Sequence, residues 1–232
     1  MEYNSGKLCV VCDKEGAFTA HTTTKTPHRM KLRVTKGDST ATYDIDHDGN
    51  SETFPLQFGD GRYEISLCEN TSGKDYMKCG TVRLDIKMEN ENAPFLQPNQ
   101  YVNYSPDSAV VATAEELCEG QNEETEYKTI CDYVESSYLY DFIKAATIGK
   151  GILPYINTTA KKHMGICQDL AALTVAMLRS RGIPSKLVIG NADQQYHAWV
   201  ETLINGTWKR YDPTKEIGAI SHVKHYEPER FY

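Results

Sequence analysis

No run of 18 or more apolar residues occurs in this 232-residue chain, which excludes a membrane-spanning helix. Basic residues do not dominate. The 25 Lys and Arg stand against 32 Asp and Glu, a net charge of −7, so the basic face of a nucleic-acid binder is missing. Neither an internal repeat nor a low-complexity segment is present. No basic, apolar leader with a small-residue cleavage site opens the chain. Two readings fit that last absence: a cytosolic protein, or a secreted one whose leader has been removed. Met1 followed by the polar Glu2-Tyr3-Asn4-Ser5-Gly6 reads as a cloned start, which favours an extracellular or cell-surface protein. What is present is ordinary for a folded chain: 40% hydrophobic and 25% charged residues. The length is generous for one domain and comfortable for two small ones.

Seven cysteines are spread along the chain: Cys9, Cys12, Cys68, Cys79, Cys118, Cys131 and Cys167. Without Cys167, the rest form three near-neighbour pairs. Cys68 and Cys79 flank the turn Thr71-Ser72-Gly73-Lys74, and Cys118 and Cys131 flank the break at Glu119-Gly120. Six pairable thiols and one odd thiol suit an oxidising compartment with a free reactive cysteine. Six reduced small hydrophobes suit the same spacing. Cys9-Val10-Val11-Cys12 has the spacing of half a zinc site, but a second Cys pair or a paired-His motif is missing.

Residues 16–89 read as a domain of short strands: Ala17–Thr24, Arg29–Lys36, Thr40–Ile45, Glu52–Phe58, Arg62–Cys68 and Met77–Lys87. Apolar residues alternate in Met30/Leu32/Val34, Tyr63/Ile65/Leu67 and Val82/Leu84/Ile86. Turn residues separate the strands at Lys36-Gly37-Asp38, Asp48-Gly49-Asn50, Gly59-Asp60-Gly61 and Ser72-Gly73. This spacing predicts an antiparallel β-sandwich of immunoglobulin-like type, without the Cys…Trp…Cys signature of antibody domains. Residues 1–15 read as an N-terminal tail. Asp44-Ile45-Asp46-His47-Asp48-Gly49 opens like a calcium loop, but Pro55 stands where the bidentate Glu belongs. An acidic hairpin turn is the preferred reading there.

The segment 90–106, with Pro94, Pro98 and Pro106 among several asparagines, reads as a linker. Helices are predicted for Asp107–Leu117, Glu123–Tyr140 and Thr158–Met164, an irregular stretch for Gly149–Leu153, and strands for Lys186–Ile189, Tyr196–Ile204 and Thr207–Asp212. Residues 107–232 thus form a second, α+β domain.

The chemistry concentrates in that domain. From Leu170 to Leu178 only Thr174 is polar, so the helix there is buried all round. Gly182 ends it and Pro184 bars its continuation. Its first turn falls near Ile166 or Cys167. Free N–H groups and the positive end of the helix dipole stabilise a thiolate at that place, and the same N–H groups can hold an oxyanion. Downstream, Asn205-Gly206 predicts a two-residue type I′ turn. Counting back pairs Ile204 with Thr207, Leu203 with Trp208, Glu201 with Arg210, Trp199 with Asp212 and His197 with Thr214. His197 and Asp212 then share a face as diagonal neighbours, roughly 7–8 Å apart at Cα, and Glu201 opposite Arg210 is an expected ion pair. A Cys at a helix N-terminus, a His on a strand and an Asp on the next are a nucleophile, a base and an orienter. Taken singly, Cys167 reads as a packed core thiol, His197 as an edge histidine and Asp212 as a turn cap. His21, His28, His47, His222 and His225 offer no comparable set, and His163 is a second candidate only by proximity to Cys167. A zinc site built from Cys167, His197 and Asp212 would use the same three residues.

Gly165-Ile166-Cys167-Gln168-Asp169-Leu170-Ala171, then Leu178 to Gly190, then Tyr196-His197-Ala198-Trp199-Val200-Glu201, then Trp208 to Thr214 resemble the core of the transglutaminase-like superfamily. The chain as a whole resembles secreted or surface proteins of Gram-positive bacteria that carry this domain. The resemblance implies a papain-like α+β fold and no organic cofactor. It implies Cys167 as nucleophile, His197 as general base and acid, and Asp212 as orienter. Gln168, Tyr155 and Trp199 are candidates for the side-chain oxyanion donor. The implied activity is acyl transfer through a Cys thioester, as a peptidase or amidase ahead of a cross-linking enzyme. Its substrate would be a protein or peptide, cell-wall peptides included. The alternative is a binding or adhesion protein that has lost turnover and uses its sandwich domain, a reading that would fit a sulfur covered by Tyr155 or His163.

Overall fold

A computed structural model describes all residues except Lys150, Ser221 and His222, together with the side chains of Asp13 and Lys14. The chain is an α+β protein that divides into two compact units, Met1–Gln97 and Pro98–Tyr232. Among the described residues, no helix is long and apolar enough to cross a membrane.

The first unit holds eight strands: β1 (Glu2–Ser5), β2 (Leu8–Lys14), β3 (Ala17–Thr22), β4 (Met30–Lys36), β5 (Ser39–Ile45), β6 (Glu52–Pro55), β7 (Gly61–Ser72) and β8 (Asp75–Ile86). They form two antiparallel sheets, ordered β1-β2-β3-β6 and β5-β4-β7-β8. Alternating apolar residues point inward from both. Leu32, Val34, Tyr63, Ile65 and Leu67 are fully buried, and Tyr43 meets Phe54 of the other sheet edge-on at 5.3 Å. Tyr63, at the start of β7, sends its hydroxyl back into the preceding corner. It lies 2.9 Å from the Leu56 carbonyl and 2.8 Å from the Gly59 carbonyl, and accepts the Phe58 N–H at 3.0 Å.

Two sequence expectations change in this unit, and a third changes at its boundary with the second. Residues 1–15 are not a tail: they supply β1 and β2, and Leu8 and Val10 are fully buried. The polar segment from Glu2 to Lys7 hid a hairpin whose turn docks on β8. Gly6 (φ +56) sits so close that a Cβ there would lie 2.1 Å from the Cys79 carbonyl oxygen, so only glycine fits. The acidic segment after Asp44 is not a hairpin turn either. It carries the chain from one sheet to the other, because β5 and β6 belong to different sheets. Asp44 itself is paired with Arg29 and Lys31, and Asp48 caps its own turn through the Asn50 N–H. Finally, the stretch 90–106 is not a free linker. Ala93 and Phe95 are buried in a short 3₁₀ turn, and the Asn99 carboxamide accepts the Tyr101 and Val102 N–H groups.

The second unit contains α1 (Ala109–Leu117), α2 (Glu123–Ser137), β9 (Leu139–Tyr140), α3 (Phe142–Thr147), α4 (Ile156–Lys162), β10 (Met164–Gly165), α5 (Cys167–Ser180), β11 (Ser185–Ala192), β12 (Gln195–Ile204), β13 (Thr207–Tyr211), α6 (Pro213–Glu216) and β14 (Tyr226–Phe231). An antiparallel sheet, ordered β13-β12-β11-β14, backs the central helix α5. The helices α1, α2 and α4 cover the other side of α5. Every residue of α5 from Asp169 to Arg179 is buried, as its unbroken apolar run requires. The predicted helix 123–140 stops at Ser137, because Leu139 and Tyr140 leave it to pair in parallel with Met164 and Gly165.

All seven cysteines are free thiols. Cys118 points to the Glu126 carbonyl and Cys131 is deeply buried beside Tyr127, so these two sulfurs face different neighbours. Burial pushes the Cys131 thiol up to about 12. Cys68 and Cys79 lie at a register shift between β7 and β8, each thiol directed at a backbone carbonyl.

Candidate active site

The site is assembled from the N-terminus of α5, the start of β12 and the end of β13. Ile166 is the extended residue before the helix, and Cys167 is the first residue within it, half-buried. The Asn205-Gly206 turn has both residues at positive φ, +52 and +74, as a type I′ turn demands. It sets the pairs Ile204/Thr207, Leu203/Trp208, Glu201/Arg210 and Val200/Tyr211. The ladder ends there. Asp212 leaves the strand to cap α6, so Trp199/Asp212 and His197/Thr214 are not ladder pairs. The expected Glu201–Arg210 ion pair is replaced by a stacking contact, in which the Arg210 guanidinium lies 4.3 Å over the Tyr226 ring.

His197 and Asp212 are nevertheless joined. His197 Nε2 lies 2.9 Å from Asp212 Oδ2, and both side chains are buried. The same oxygen accepts the Tyr226 hydroxyl at 2.8 Å. The other, Oδ1, accepts the backbone N–H groups of Thr214 and Lys215 at 3.0 and 3.3 Å. Nε2 being taken, Nδ1 is the ring nitrogen left for a second partner, and the Cys167 side chain is near enough to the imidazole to favour its charged form. Burial opposes a charge on His197. The hydrogen bonds and negative charge of Asp212 and Cys167 outweigh it and hold the imidazole at about 9. The structure thus brings together the three residues singled out in the sequence.

The three oxyanion candidates fare differently. Gln168 donates its carboxamide to the Ile152 carbonyl at 2.9 Å. Tyr155 is 59% exposed at the start of α4. Trp199 is fully buried beside His197, and its indole N–H has no hydrogen-bond partner among the described residues. His163, in the left-handed region at φ +50, is held by the Ser137 carbonyl and the Tyr138 ring. His222 lies outside the described residues. Among the described residues, no cluster of three or more His, Cys, Asp or Glu has the geometry of a metal site.

Sequence reading missed Tyr140. The parallel pairing of β9 with β10 brings it against the nucleophile's turn, close enough for Cys167 and Asp169 to act on its hydroxyl. Burial, with the nearby charges of Cys167 and Asp169, pushes its hydroxyl up to about 12. The tyrosine is 27 residues before Cys167 and in no periodic pattern; only the ribbon reveals it.

Residues 111–213, a span that holds Cys167, His197 and Asp212, match the family model of the transglutaminase-like superfamily. The second unit therefore carries a region that matches the transglutaminase-like superfamily. A curated relative, the uncharacterized protein ML0607 of Mycobacterium leprae (strain TN), is 32% identical over 97 residues, covering 32% of this chain. The chain spans about a third of that relative's length, 34%. Among solved structures, a Cytophaga hutchinsonii protein provisionally described as a cysteine protease aligns over 94% of this chain and 80% of its own, at 17% identity and a TM-score of 0.48. Red sea bream transglutaminase aligns over 88% of this chain and 49% of its own, at 14% identity and a TM-score of 0.35.

Proposed function

We propose that the second unit is a cysteine-dependent acyl-transfer enzyme that acts on peptide or side-chain amide bonds. The observation that carries this reading is His197, bonded to Asp212 through Nε2 at 2.9 Å with the Cys167 side chain close to its ring. The imidazole, held cationic to about 9, keeps a thiolate beside it ready. The Cys167 sulfur attacks the amide carbonyl carbon, and the C–N bond breaks as Nδ1–H of His197 protonates the leaving amine. A thioester remains. Neutral His197 then takes a proton from water, or from a second amine, as that group attacks the thioester and releases the sulfur. The Tyr140 hydroxyl, beside the Cys167 N–H, is the side chain best placed to meet the oxyanion.

Hydrolysis is preferred over cross-linking as the outcome, and a polypeptide as the substrate. Leu139, Phe142, Ile143, Ile152, Tyr155 and Met164, all in the segments leading to Cys167, are exposed; an extended peptide would find apolar side chains there to pack on. Tyr155 is largely exposed, His163 is held by the Ser137 carbonyl, and Cys167 is only half-buried, which together count against a disarmed binding protein. The first unit reads as an immunoglobulin-like sandwich. Its strand order and the Tyr63 hydroxyl, bonded back into the corner before β7, support that assignment.

The test is alkylation with iodoacetamide from pH 4 to 9, with Cys167→Ala and His197→Ala alongside and adducts mapped by mass spectrometry. Fast labelling at Cys167 well below the ordinary thiol range of about 8.5, slowed by His197→Ala, is expected. Assays on peptide amides with and without added amine then separate hydrolysis from cross-linking. Labelling that follows an ordinary thiol titration would overturn the proposal.

A further inference from the structure

Two residues beyond Cys167, in the first turn of the same helix, Asp169 is fully buried. Its Oδ2 accepts the Ile166 N–H at 3.0 Å and the Lys144 ammonium at 2.5 Å. Its Oδ1 is buried with no hydrogen-bond partner among the described residues. Packing leaves no slack around it: a Cβ at Gly165 would lie 2.8 Å from the Asp169 Cβ. A half-satisfied buried carboxylate is costly. An asparagine could accept the Ile166 N–H with no charge to bury, so capping alone does not account for an acid here. A negative charge at this place also competes with a thiolate for the same positive helix end.

Lys144 answers that charge from α3. The helix is held at its own start by Asp141, whose carboxylate accepts the Lys144 N–H at 2.8 Å. The Asp141 N–H donates to the Gly165 carbonyl at 3.0 Å. The segment from Tyr140 to Lys144 is therefore fastened to the turn of Cys167 by the β9–β10 ribbon at one end and by an ion pair at the other.

We infer that Lys144 and Asp169 are positioning residues: the pair clamps α3 and Tyr140 onto the nucleophile's turn while cancelling the buried negative charge two residues from Cys167. This rests on the reading of Cys167 as the nucleophile. The ionisable groups tied to the turn of Cys167 are His197 from β12, backed by Asp212 at the cap of α6; Tyr140 from β9; Asp169 from α5; and Lys144 from α3, with Asp141 next to Tyr140. Among them Lys144 is the cation that offsets Asp169, as His197 is committed to Asp212.

The pair makes a prediction of sign. Lys144→Met leaves the carboxylate unopposed and should move the midpoint of Cys167 alkylation to higher pH, on the order of half a unit to one unit. Asp169→Asn keeps an acceptor for the Ile166 N–H, frees the ammonium, and should move the midpoint lower. Lys144→Arg and the double variant Lys144→Met/Asp169→Asn should both return close to the parent profile. Circular dichroism of each variant checks that it is folded, and if Asp169→Asn does not fold, the Met and Arg variants of Lys144 still give the sign. Shifts in the same direction for the two single variants, or a Lys144→Met profile superimposable on the parent, would overturn the inference. A parent Cys167 that labels as an ordinary thiol would instead overturn the nucleophile reading beneath it.

Discussion

The two units bury polar groups to different ends. In the first, buried hydroxyls and amides serve the architecture. Tyr63 ties the corner before β7, and Gln57 donates to the Tyr43 hydroxyl at 2.8 Å between the sheets. In the second, charged groups are buried at both ends of α5: Arg179 is bonded to the Ser185 and Tyr232 carbonyls at the last turn, and Asp169, His197 and Asp212 are buried close to Cys167 at the first. Buried charge costs stability unless it is paired and hydrogen-bonded. A fold that sets three such groups beside one cysteine, on a rigid helix and neighbouring strands, bears part of that cost where chemistry would use it. The first unit shows how little charge a stable core otherwise contains.

Substitutions should separate the two uses. The largest effect is expected from Cys167→Ala, which should remove labelling at that position and all thioester-dependent turnover while leaving the far-UV spectrum unchanged. Next, His197→Ala should lower kcat/KM for a peptide amide by about 10²–10⁴-fold, read in steady-state kinetics. Asp212→Ala should combine two losses: a rate loss of similar size through the misoriented imidazole, and about 1–2 kcal/mol of stability through the lost cap of α6, read by urea denaturation. Tyr63→Phe should do the reverse. It removes the corner hydrogen bonds, costs about 1–3 kcal/mol in the first unit, and leaves the Cys167 labelling profile where it was. A change in that profile on Tyr63→Phe would break the contrast between the units.

The smallest effect is a pH dependence of stability. His197 binds its proton more tightly folded, at about 9, than at its ordinary 6.5. Its contribution is therefore fully present below pH 6.5 and is lost as pH rises through about 9. Melting temperature should fall across that window in the parent protein, and the fall should be shallower in His197→Gln.

Most of this organisation was legible where local signals are strong. The six strands from Ala17 to Ile86 follow from alternation and turn residues, and α5 from its apolar run, Gly182 and Pro184. The Asn205-Gly206 turn fixed a register that the ladder reproduces as far as Val200/Tyr211. What stayed hidden depends on distant partners. The hairpin β1–β2 is polar outside and is stabilised by docking on β8. The helix α3 is six residues long, and its start signal, Asp141 before Phe142, is weak without a periodic run behind it. Tyr140 and Lys144 reach the site only because two residues of β9 pair in parallel with two residues before Cys167. Arg210 chose the Tyr226 ring over Glu201 because β14, invisible in the sequence pattern, lays that ring beside it.

Asp212 has a consequence of its own. Its two oxygens are divided: Oδ1 belongs to the backbone of α6, and Oδ2 to His197 and Tyr226. An acid at this position would thus be selected for folding even in a descendant that had abandoned chemistry. Across related chains, a surviving aspartate here is a poor witness to activity, and the loss of the cysteine or histidine is the mark by which a retired enzyme would be recognised.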